Sequence, residues 1–358
     1  MNDAAMAEVP MPRETHPIVL IGAGGIVGDA HLPAYRKARF PVAAIFDPIR
    51  DRAESLAIQF GIPSVAASLD DAIAAAPRNA IFDIATPAGE FMKVLPHLPD
   101  GSSVLMQKPM GENGAEARRI LDLSRAKQLR AAVNFQLRYA PAVRAARRLI
   151  ADGAIGDLHD MEVRVTVYTP WHLWSFLEGI PRVEILYHSV HYLDLLRSFL
   201  GDPAGIYAKT VKHPKMPKLA STRSNIILDY GDFIRANIET NHGHEFGLRH
   251  QESYIKWEGT KGAIKTRLGL LMNYPTGVED EFEICILEEG RTPEWQSVGI
   301  RGSWFPDAFI GSMAELMRFV EGTTSELPNS VEDAYRTMVV VDAAYEASNR
   351  GGVMVAYD

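Results

Sequence analysis

From residue 17 to about residue 135, short apolar runs alternate with amphipathic stretches. The apolar runs predict strands at Ile18–Ile21, Val42–Phe46, Ala80–Ala85, Val104–Met106 and Ala131–Phe135. The stretches between them predict helices that include Asp51–Phe60, Asp70–Ala76 and Gly114–Lys127. Strands that alternate with helices indicate a doubly wound parallel sheet of the α/β class. Ligands of such sheets bind beyond the carboxyl ends of the strands.

The first predicted strand runs into a glycine-rich turn, P-I-V-L-I-G-A-G-G-I-V-G. Gly22 permits a tight turn, and Gly24 lets the backbone approach a phosphate because no Cβ intervenes. A helix beginning near Gly25 offers free N–H groups to an anion, so Gly24, Gly25 and Ile26 are predicted to cradle the pyrophosphate of a dinucleotide. Gly28 comes one residue later than the usual third glycine, and an ordinary strand-to-helix turn is the alternative.

An acidic residue, Asp47, ends the second predicted strand. A carboxylate there can accept hydrogen bonds from the ribose hydroxyls of the adenosine half and would repel a 2′-phosphate. The sequence therefore favours NAD over NADP as the cofactor. Arg50 and Arg52 lie close by and either soften this preference or belong to the solvated face of the next helix.

After a predicted helix at about Ala142–Asp152, long runs of alternating apolar and polar residues appear. This period of two predicts a large, mostly antiparallel open sheet in an α+β domain. A helix at about Glu184–Leu200 interrupts the strands, and helices at about Phe309–Glu321 and Ser330–Ala347 close the chain. We therefore expect a flexible tail at 1–15, a dinucleotide-binding Rossmann domain at 16–138 and a substrate and oligomerisation domain at 139–358. The last helices can pack back on the first domain.

The composition narrows the class of protein. Hydrophobic residues make up 47% of the 358 residues, enough for two sizeable cores. The single cysteine, Cys285, excludes an internal disulfide framework and favours a cytoplasmic protein. The net charge of −8, without a basic stripe, argues against a nucleic-acid partner. The sequence predicts neither a signal peptide nor a membrane-spanning segment.

Candidate chemistry gathers at the carboxyl ends of the predicted strands, where Asp47, Thr86, Gln107 and Lys108 lie. Lys108 follows an apolar strand and precedes Pro109, which constrains the backbone. Beside an uncharged nicotinamide the ammonium would lose solvation and its pKa would fall, so Lys108 could relay the proton of a substrate alcohol. A solvated lysine at a strand end is the alternative.

The helix at about Glu184–Leu200 carries five polar residues at spacings of three and four: Glu184, Tyr187, His188, His191 and Asp194. In α-helical geometry they share one stripe, which is predicted to face a wet cavity. Glu184, His188 and His191 also have the spacing of metal ligands. Because no obvious further ligand lies nearby in the sequence, no metal site is predicted.

Two other segments supply candidate binding residues. Asn134 and Arg138 close the first domain and can point toward nicotinamide or substrate, whereas Arg138 can equally form an ion pair between domains. Trp171 and Trp174, in T-P-W-H-L-W-S-F, suit the apolar faces of a carbohydrate or form a hydrophobic plug. The segment Asn241–Glu245 is interpreted as a turn without an assigned role.

Segments along nearly the whole chain after the tail resemble the Gfo/Idh/MocA oxidoreductases, the family of glucose–fructose oxidoreductase and inositol dehydrogenase. They include D-I-A-T-P, Q-K-P, F-Q-L-R-Y-A-P, H-Y-L-D-L-L-R-S-F-L-G and W-E-G-T-K-G-A-I. The resemblance implies a Rossmann domain and an α+β domain whose open sheet often forms the oligomer interface, here of a homodimer or homotetramer. It also implies tightly held NAD(H) or NADP(H) and a sugar or polyol as the small-molecule substrate.

The resemblance also implies roles for single residues. Lys108 matches the family's catalytic lysine, and His191 matches the histidine of its D-x-x-x-H motif. Thr86 and Pro87 match the T-P turn beside the cofactor.

Several positions depart from the family's pattern. Gln107 replaces the usual glutamate before the lysine, and Phe91 stands where histidine is common. Tyr187 occupies the place of the D-x-x-x-H aspartate, so Tyr187, His188 or Glu184 is expected to take over its part in proton transfer.

The sequence thus predicts an NAD-dependent dehydrogenase that oxidises a carbinol carbon of a sugar or polyol, with C1 of an aldose as one candidate. Lys108 and His191 would share proton transfer, assisted by Tyr187 or His188. Trp171, Trp174, Arg138 and Glu184 would contribute to substrate binding. Two alternatives stay open: a redox-neutral NAD-dependent glycosidase on the same fold, and a non-enzymatic NAD(H)-binding sensor.

Overall fold

The structure, a computed structural model, describes residues 7–353, which form two compact units. Residues 7–144 and 302–338 make up the first, called here the Rossmann unit. Residues 145–301 and 339–353 make up the second, called here the sheet unit. The expected boundary at residue 138 allowed the last helices to pack back on the first domain, and the structure joins residues 302–338 to the Rossmann unit.

Five parallel strands form the centre of the Rossmann unit: β1 Ile18–Ile21, β2 Val42–Phe46, β3 Ile81–Ile84, β4 Ser103–Gln107 and β5 Arg130–Asn134. Their order in the sheet is β2-β1-β3-β4-β5. Every residue of β1, β3 and β4 is buried, as in a parallel sheet covered on both faces. The predicted α/β class of this region is confirmed.

The α-helices are α1 Leu32–Ala38, α2 Arg50–Phe60, α3 Leu69–Ala74, α4 Phe91–Val94, α5 Gly114–Ala126, α6 Pro141–Ala151, α7 Val190–Leu200, α8 Asp307–Val320 and α9 Val331–Arg350. Short polar side chains begin two of them: Ser68 Oγ accepts from Asp71 N at 3.0 Å, and Asn113 Oδ1 accepts from Glu116 N at 2.9 Å. Two π-helical segments, Val27–His31 and Ile185–Ser189, lead into α1 and α7.

Helix α8 belongs to the Rossmann unit because its apolar face is buried in that unit's core. Phe309, Met313 and Met317 recur every four residues, and all three pack in one cluster with Ile18 and Leu20 of β1. This packing explains why a segment so late in the sequence clusters with the first domain.

The tail expected at residues 1–15 lies partly outside the described residues, which begin at residue 7. Within the described part, the backbone N–H groups of Arg13 and Glu14 donate to the Glu321 carboxylate at 3.0 and 3.2 Å. Val9 packs against the core of the Rossmann unit. The end of the predicted flexible tail is therefore held against the first unit.

In its described part, the sheet unit contains eight strands: β6 Leu158–Thr166, β7 Gly205–Val211, β8 Arg223–Asp229, β9 Arg235–Asn241, β10 Glu252–Gly259, β11 Gly262–Arg267, β12 Glu281–Ile286 and β13 Gln296–Ser297. Their order is β13-β12-β11-β10-β6-β9-β8-β7. Only the β6–β9 pair is parallel among these strands, so the predicted large and mostly antiparallel sheet is confirmed. Phe199 of α7 packs on Trp257 of β10, with ring centroids 5.6 Å apart.

Among residues 7–353, no helix combines the length and apolarity needed to cross a membrane.

Candidate active site

The glycine turn after β1 is shaped by its contact with the end of β3. Gly22 has φ +111°, and a Cβ at this position would lie 2.7 Å from the carbonyl oxygen of Ala85. Gly24 differs, because no described atom lies within 4 Å of a Cβ placed there. A cavity of about 410 Å³ opens beside the turn, lined by Gly24, Gly25, Gly28 and residues of α2. The open backbone of the turn fits the predicted phosphate cradle.

Asp47 is fixed at the end of β2 by two backbone hydrogen bonds. Ala23 N–H donates to Oδ2 at 2.7 Å, and Ile49 N–H donates to Oδ1 at 2.8 Å. The carboxylate therefore ties β2 to the glycine turn. Each oxygen keeps a second lone pair that can accept a hydrogen bond from a ribose hydroxyl.

The neighbouring carboxyl ends of β3, β4 and β5 carry polar groups that find no hydrogen-bond partner among residues 7–353. They are Thr86 Oγ1, Gln107 Oε1 and both amide atoms of Asn134. Gln107 and Asn134 are direct partners in the β4–β5 register, and their exposed fractions are 8% and 1%. Unpaired buried amides are costly, so this edge suits a ligand that both donates and accepts hydrogen bonds, as the carboxamide of nicotinamide does.

Lys108 follows Gln107 at this edge and precedes Pro109 through a cis peptide bond. The side chain is half-buried, and burial lowers the pKa of Lys108 to about 8. A neutral amine is thus accessible near physiological pH, as a proton-transferring lysine requires. Pro87, next to Thr86, is exposed at the start of a short 3₁₀ turn.

Arg138 is engaged within the Rossmann unit. Its guanidinium donates to Pro328 O at 2.7 Å and to the Asp333 carboxylate at 2.5 Å, and its side chain is 8% exposed. These contacts fasten the segment after β5 to the start of α9. The ion pair crosses the boundary expected at residue 138, as one of the two alternatives for Arg138 had it, although both residues belong to the Rossmann unit. It occupies donors that the other alternative offered to the substrate.

The polar stripe predicted on the mid-chain helix is interrupted by the π-helical segment Ile185–Ser189. A π turn adds one residue to a helical turn, so the side chains before it are rotated about the helix axis relative to their positions in a regular α-helix. Glu184 and Asp194 are fully buried, His191 is 6% exposed, and Tyr187 and His188 are half-buried. The expectation that all five residues face one wet cavity is therefore wrong for Glu184 and Asp194.

Three rings of the sheet unit pack together: those of Trp171, His188 and His242. The Trp171 ring lies edge-on to His188 and His242 at centroid distances of 4.9 and 5.6 Å, and the two imidazoles are 4.4 Å apart. Trp171 is 7% exposed, and its Nε1–H has no acceptor within residues 7–353. Trp171 is thus largely a buried packing residue that retains one unused donor for a ligand hydroxyl.

Trp174 lies on the same 3₁₀ segment, Trp171–Leu177, and packs against Tyr274 with ring centroids 5.8 Å apart. Tyr274 and His242 were not selected from the sequence. His242 directly follows a strand, and a polar residue at a strand end is a usable signal. Tyr274 sits in a loop after a short 3₁₀ turn, and no local pattern marks it.

Within the described ranges, no group of three or more His, Cys, Asp or Glu side chains is arranged to hold a metal ion.

Comparison with known proteins identifies the family. Residues 17–135 match the profile of an oxidoreductase family with an NAD-binding Rossmann fold, and residues 143–265 match the Gfo/Idh/MocA C-terminal domain. The chain belongs to the Gfo/Idh/MocA oxidoreductases. The resemblance seen in the sequence is therefore confirmed, together with the expectation of an NAD-binding oxidoreductase.

Relatives within the Gfo/Idh/MocA family are distant. Inositol 2-dehydrogenase of Leifsonia xyli is 28% identical over 257 residues, 69% of this chain and 73% of its own length. D-xylose 1-dehydrogenase (NADP(+)) 2 of Haloferax volcanii is 23% identical over 94% of this chain and 98% of its own. A solved levoglucosan dehydrogenase in complex with NADH and L-sorbose has a TM-score of 0.77 and 19% identity, covering 94% and 97% of the two chains.

Several other curated relatives match over only about half of their own length, 42–56%. At these identities the likeness to solved structures shows the fold. The individual site residues named from the sequence stay predictions.

Proposed function

We propose that this member of the family is an NAD-dependent dehydrogenase that oxidises a carbinol carbon of a sugar or polyol. The observation that carries the proposal is the carboxyl edge of the Rossmann sheet. There a lysine with a pKa lowered to about 8 adjoins two amide side chains, Gln107 and Asn134, with atoms that lack partners among residues 7–353. The relatives named inositol 2-dehydrogenase and levoglucosan dehydrogenase support the substrate class.

The residues of the edge fit a nicotinamide cofactor. Gly24, Gly25 and Ile26 would hold the pyrophosphate through their backbone, and Asn134 and Gln107 would pair with the carboxamide. Thr86 and Pro87 would border the same ring. Bound nicotinamide supplies the hydride acceptor for the carbinol carbon.

The chain's own residues would handle the proton and the substrate hydroxyls. Lys108 in its neutral form accepts the proton of the reacting hydroxyl and thereby raises electron density on the carbon that gives up hydride. His191, Tyr187 and His188 are proposed to orient neighbouring hydroxyls and to pass the proton onward. Trp171 and Trp174 offer aromatic faces for the C–H surface of a sugar ring.

NAD is the cofactor that Asp47 favours. The carboxylate is held in place by backbone donors, so it cannot easily turn away from a 2′-phosphate, and like charges at this point would repel. Arg50 donates to Glu54 at 2.6 Å, which reduces its availability for a phosphate. Arg52 lines the cavity beside the glycine turn and is the residue through which NADP use would arise.

The test is NAD⁺ reduction by the purified chain against aldoses, ketoses, inositols and sugar acids, with NADP⁺ run in parallel. We expect NADH formation with at least one compound, and a loss of turnover by about a hundredfold or more in Lys108→Met. Lys93→Met, which removes an exposed lysine of the same unit, is the matched control. Near-normal turnover in Lys108→Met would remove this lysine from the mechanism.

The same preparations distinguish the two alternatives. Cleavage of an aryl glycoside without net NADH would favour the redox-neutral glycosidase. Tight NADH binding without turnover on any compound would favour a sensor.

We also propose a cytoplasmic homodimer or homotetramer joined through the outer face of the sheet unit. Tyr207 of β7 and Ile227 of β8 are register partners, and they are 65% and 53% exposed. Adjacent exposed apolar side chains on a sheet favour association. Ile227→Lys should lower the mass measured by light scattering, and an unchanged mass would exclude this face.

A further inference from the structure

A buried carboxylate at the start of the π-helical segment is surrounded by donors. Glu184 is fully buried; Ser189 Oγ donates to its Oε1 at 2.7 Å, and Ser224 Oγ donates to its Oε2. His242 Nε2 lies 3.4 Å from the same Oε1. Burial alone would raise the pKa of Glu184, but the His242 ring and the two hydroxyls lower it below its ordinary value. This site is therefore built to hold a negative charge inside the sheet unit.

The imidazole that faces Glu184 is itself fixed on both edges. His242 is fully buried, and its Nδ1 lies 2.9 Å from Thr169 Oγ1. Its backbone N–H donates to Thr222 O at 3.0 Å, and its carbonyl accepts from Thr169 N at 3.1 Å. With a carboxylate at one ring nitrogen and a hydroxyl at the other, the ring has a single favoured orientation.

The fixed ring meets a second imidazole that is less deeply buried. The centroids of His242 and His188 are 4.4 Å apart with an interplanar angle of 53°. Trp171 contacts both rings, so His188 is held between two side chains that are buried by nine-tenths or more. His188 is half-buried and is one of the groups proposed to move a proton.

We propose that His242 is a positioning residue for His188. Glu184 and Thr169 hold the His242 ring, and that ring, with Trp171, keeps the imidazole of His188 in one orientation. Reactions that move protons are sensitive to such placement, because a displacement of about 1 Å can cost about a hundredfold in rate. The inference rests on the proposed function, in which His188 assists proton transfer.

If the Glu184–His242 pair had only a structural role, it would connect the start of the π-helical segment to the end of β9 without affecting His188. The substitution His242→Gln separates the two possibilities, because it keeps a polar amide facing Glu184, which His242 Nε2 approaches to 3.4 Å, while the ring that contacts His188 is lost. Glu184→Gln is the second variant, since it leaves the His242 ring but removes the charge that fixes it. His250→Gln, at an exposed histidine of the same unit, is the matched control.

Two measurements are made on the full-length chain. The first is the set of ¹⁵N and ¹H signals of the His188 ring in cofactor-free protein labelled at histidine. The second is the kinetics of NAD⁺ reduction with the most reactive compound of the panel. The thermal midpoint of each variant is also measured, to show that the variant is folded.

We expect the His188 ring signals to shift and broaden in His242→Gln, because the ring is no longer held in one orientation, and to stay unchanged in His250→Gln. We expect kcat to fall by about tenfold to a hundredfold with the KM for NAD⁺ unchanged. If His242→Gln does not fold, the same result is expected in Glu184→Gln.

Unchanged His188 signals in a folded variant would overturn the inference. A variant whose His188 signals shift while its kcat stays at the wild-type value would also overturn it. A third outcome is also distinguishable: the wild-type chain shows no turnover, but the His188 ring signals still respond to His242→Gln. That result would refute the proposed function alone, and the contact between the two rings would stand.

Discussion

Two glycines in one turn allow stability and cofactor binding to be separated. Gly22 and Gly24 are two residues apart, but a Cβ atom added at one would have completely different neighbours from a Cβ atom added at the other. At Gly22 it would lie 2.7 Å from Ala85 O and 2.9 Å from Ala85 C, and φ is +111°. At Gly24 it would meet no described atom within 4 Å. Alanine at position 22 therefore tests the effect of the turn on stability, and alanine at position 24 tests its effect on cofactor binding.

The cost of Gly22→Ala can be worked from these contacts. A disfavoured φ costs about 1–3 kcal/mol, and overpacking against atoms that cannot rotate away costs about 1–3 kcal/mol more. The free energy of unfolding should therefore fall by about 2–6 kcal/mol. At about 2–4 °C per kcal/mol for a unit of this size, the thermal midpoint should fall by roughly 4–24 °C.

Gly24→Ala should leave the thermal midpoint within about 2 °C, because surface substitutions without contacts cost little. The added methyl group would stand where the phosphate cradle is proposed, so we expect the Kd for NADH to rise about tenfold or more, or about 1.4 kcal/mol. Calorimetric melting and titration of NADH fluorescence measure the two effects. Unaltered NADH affinity in Gly24→Ala, or an unaltered midpoint in Gly22→Ala, would refute the reasoning at that position.

Three further outcomes are expected. Asp47→Ala should reduce the preference for NAD⁺ over NADP⁺ in kcat/KM by about tenfold or more, and an unchanged ratio would exclude Asp47 from the ribose site. The pKa of Lys108 in the folded chain is about 8, below its ordinary value of 10.5, so kcat for oxidation should rise as the pH increases through about 8. The free energy of unfolding should rise between about pH 8 and 10.5, because only the unfolded chain still binds the proton there. In Lys108→Met, a pH-independent kcat would support this role of Lys108, and a pH profile identical to that of wild type would contradict it. Arg138→Met should lower the free energy of unfolding by about 1–3 kcal/mol, because the Asp333 carboxylate loses its guanidinium but is 30% exposed and keeps contact with water. KM for the substrate should stay unchanged, and a raised KM with normal stability would return Arg138 to the substrate site.

The sequence predicted the elements whose pattern is local. Period-two runs and apolar strands followed by helices identified both sheets, and Asp47, Thr86, Gln107 and Lys108 were placed at strand ends because parallel strands share one carboxyl edge. Two of the five predicted strands of the Rossmann unit have the observed bounds, and the ends of the other three differ by one residue, within the usual uncertainty of strand assignment.

What could not be read from the sequence depends on distant contacts. The π turn before α7 leaves no compositional mark, so the stripe was drawn with α-helical spacing and Glu184 was assigned to a cavity instead of a buried site. The partner of Arg138, Asp333, lies far along the chain and reaches it only because residues 302–338 join the Rossmann unit. His242 acquires its neighbours through sheet pairing, which places the end of β9 beside β6.

The central claim is that this chain moves a hydride from a sugar or polyol carbon to NAD⁺. The most direct measurement uses the wild-type chain, NAD⁺ and a reactive sugar or polyol deuterated at the carbinol carbon. We expect the deuterium to appear on the nicotinamide ring of the NADH formed, with none released to water. Deuterium retained in the sugar, or lost to solvent while the nicotinamide stays unlabelled, would contradict the account.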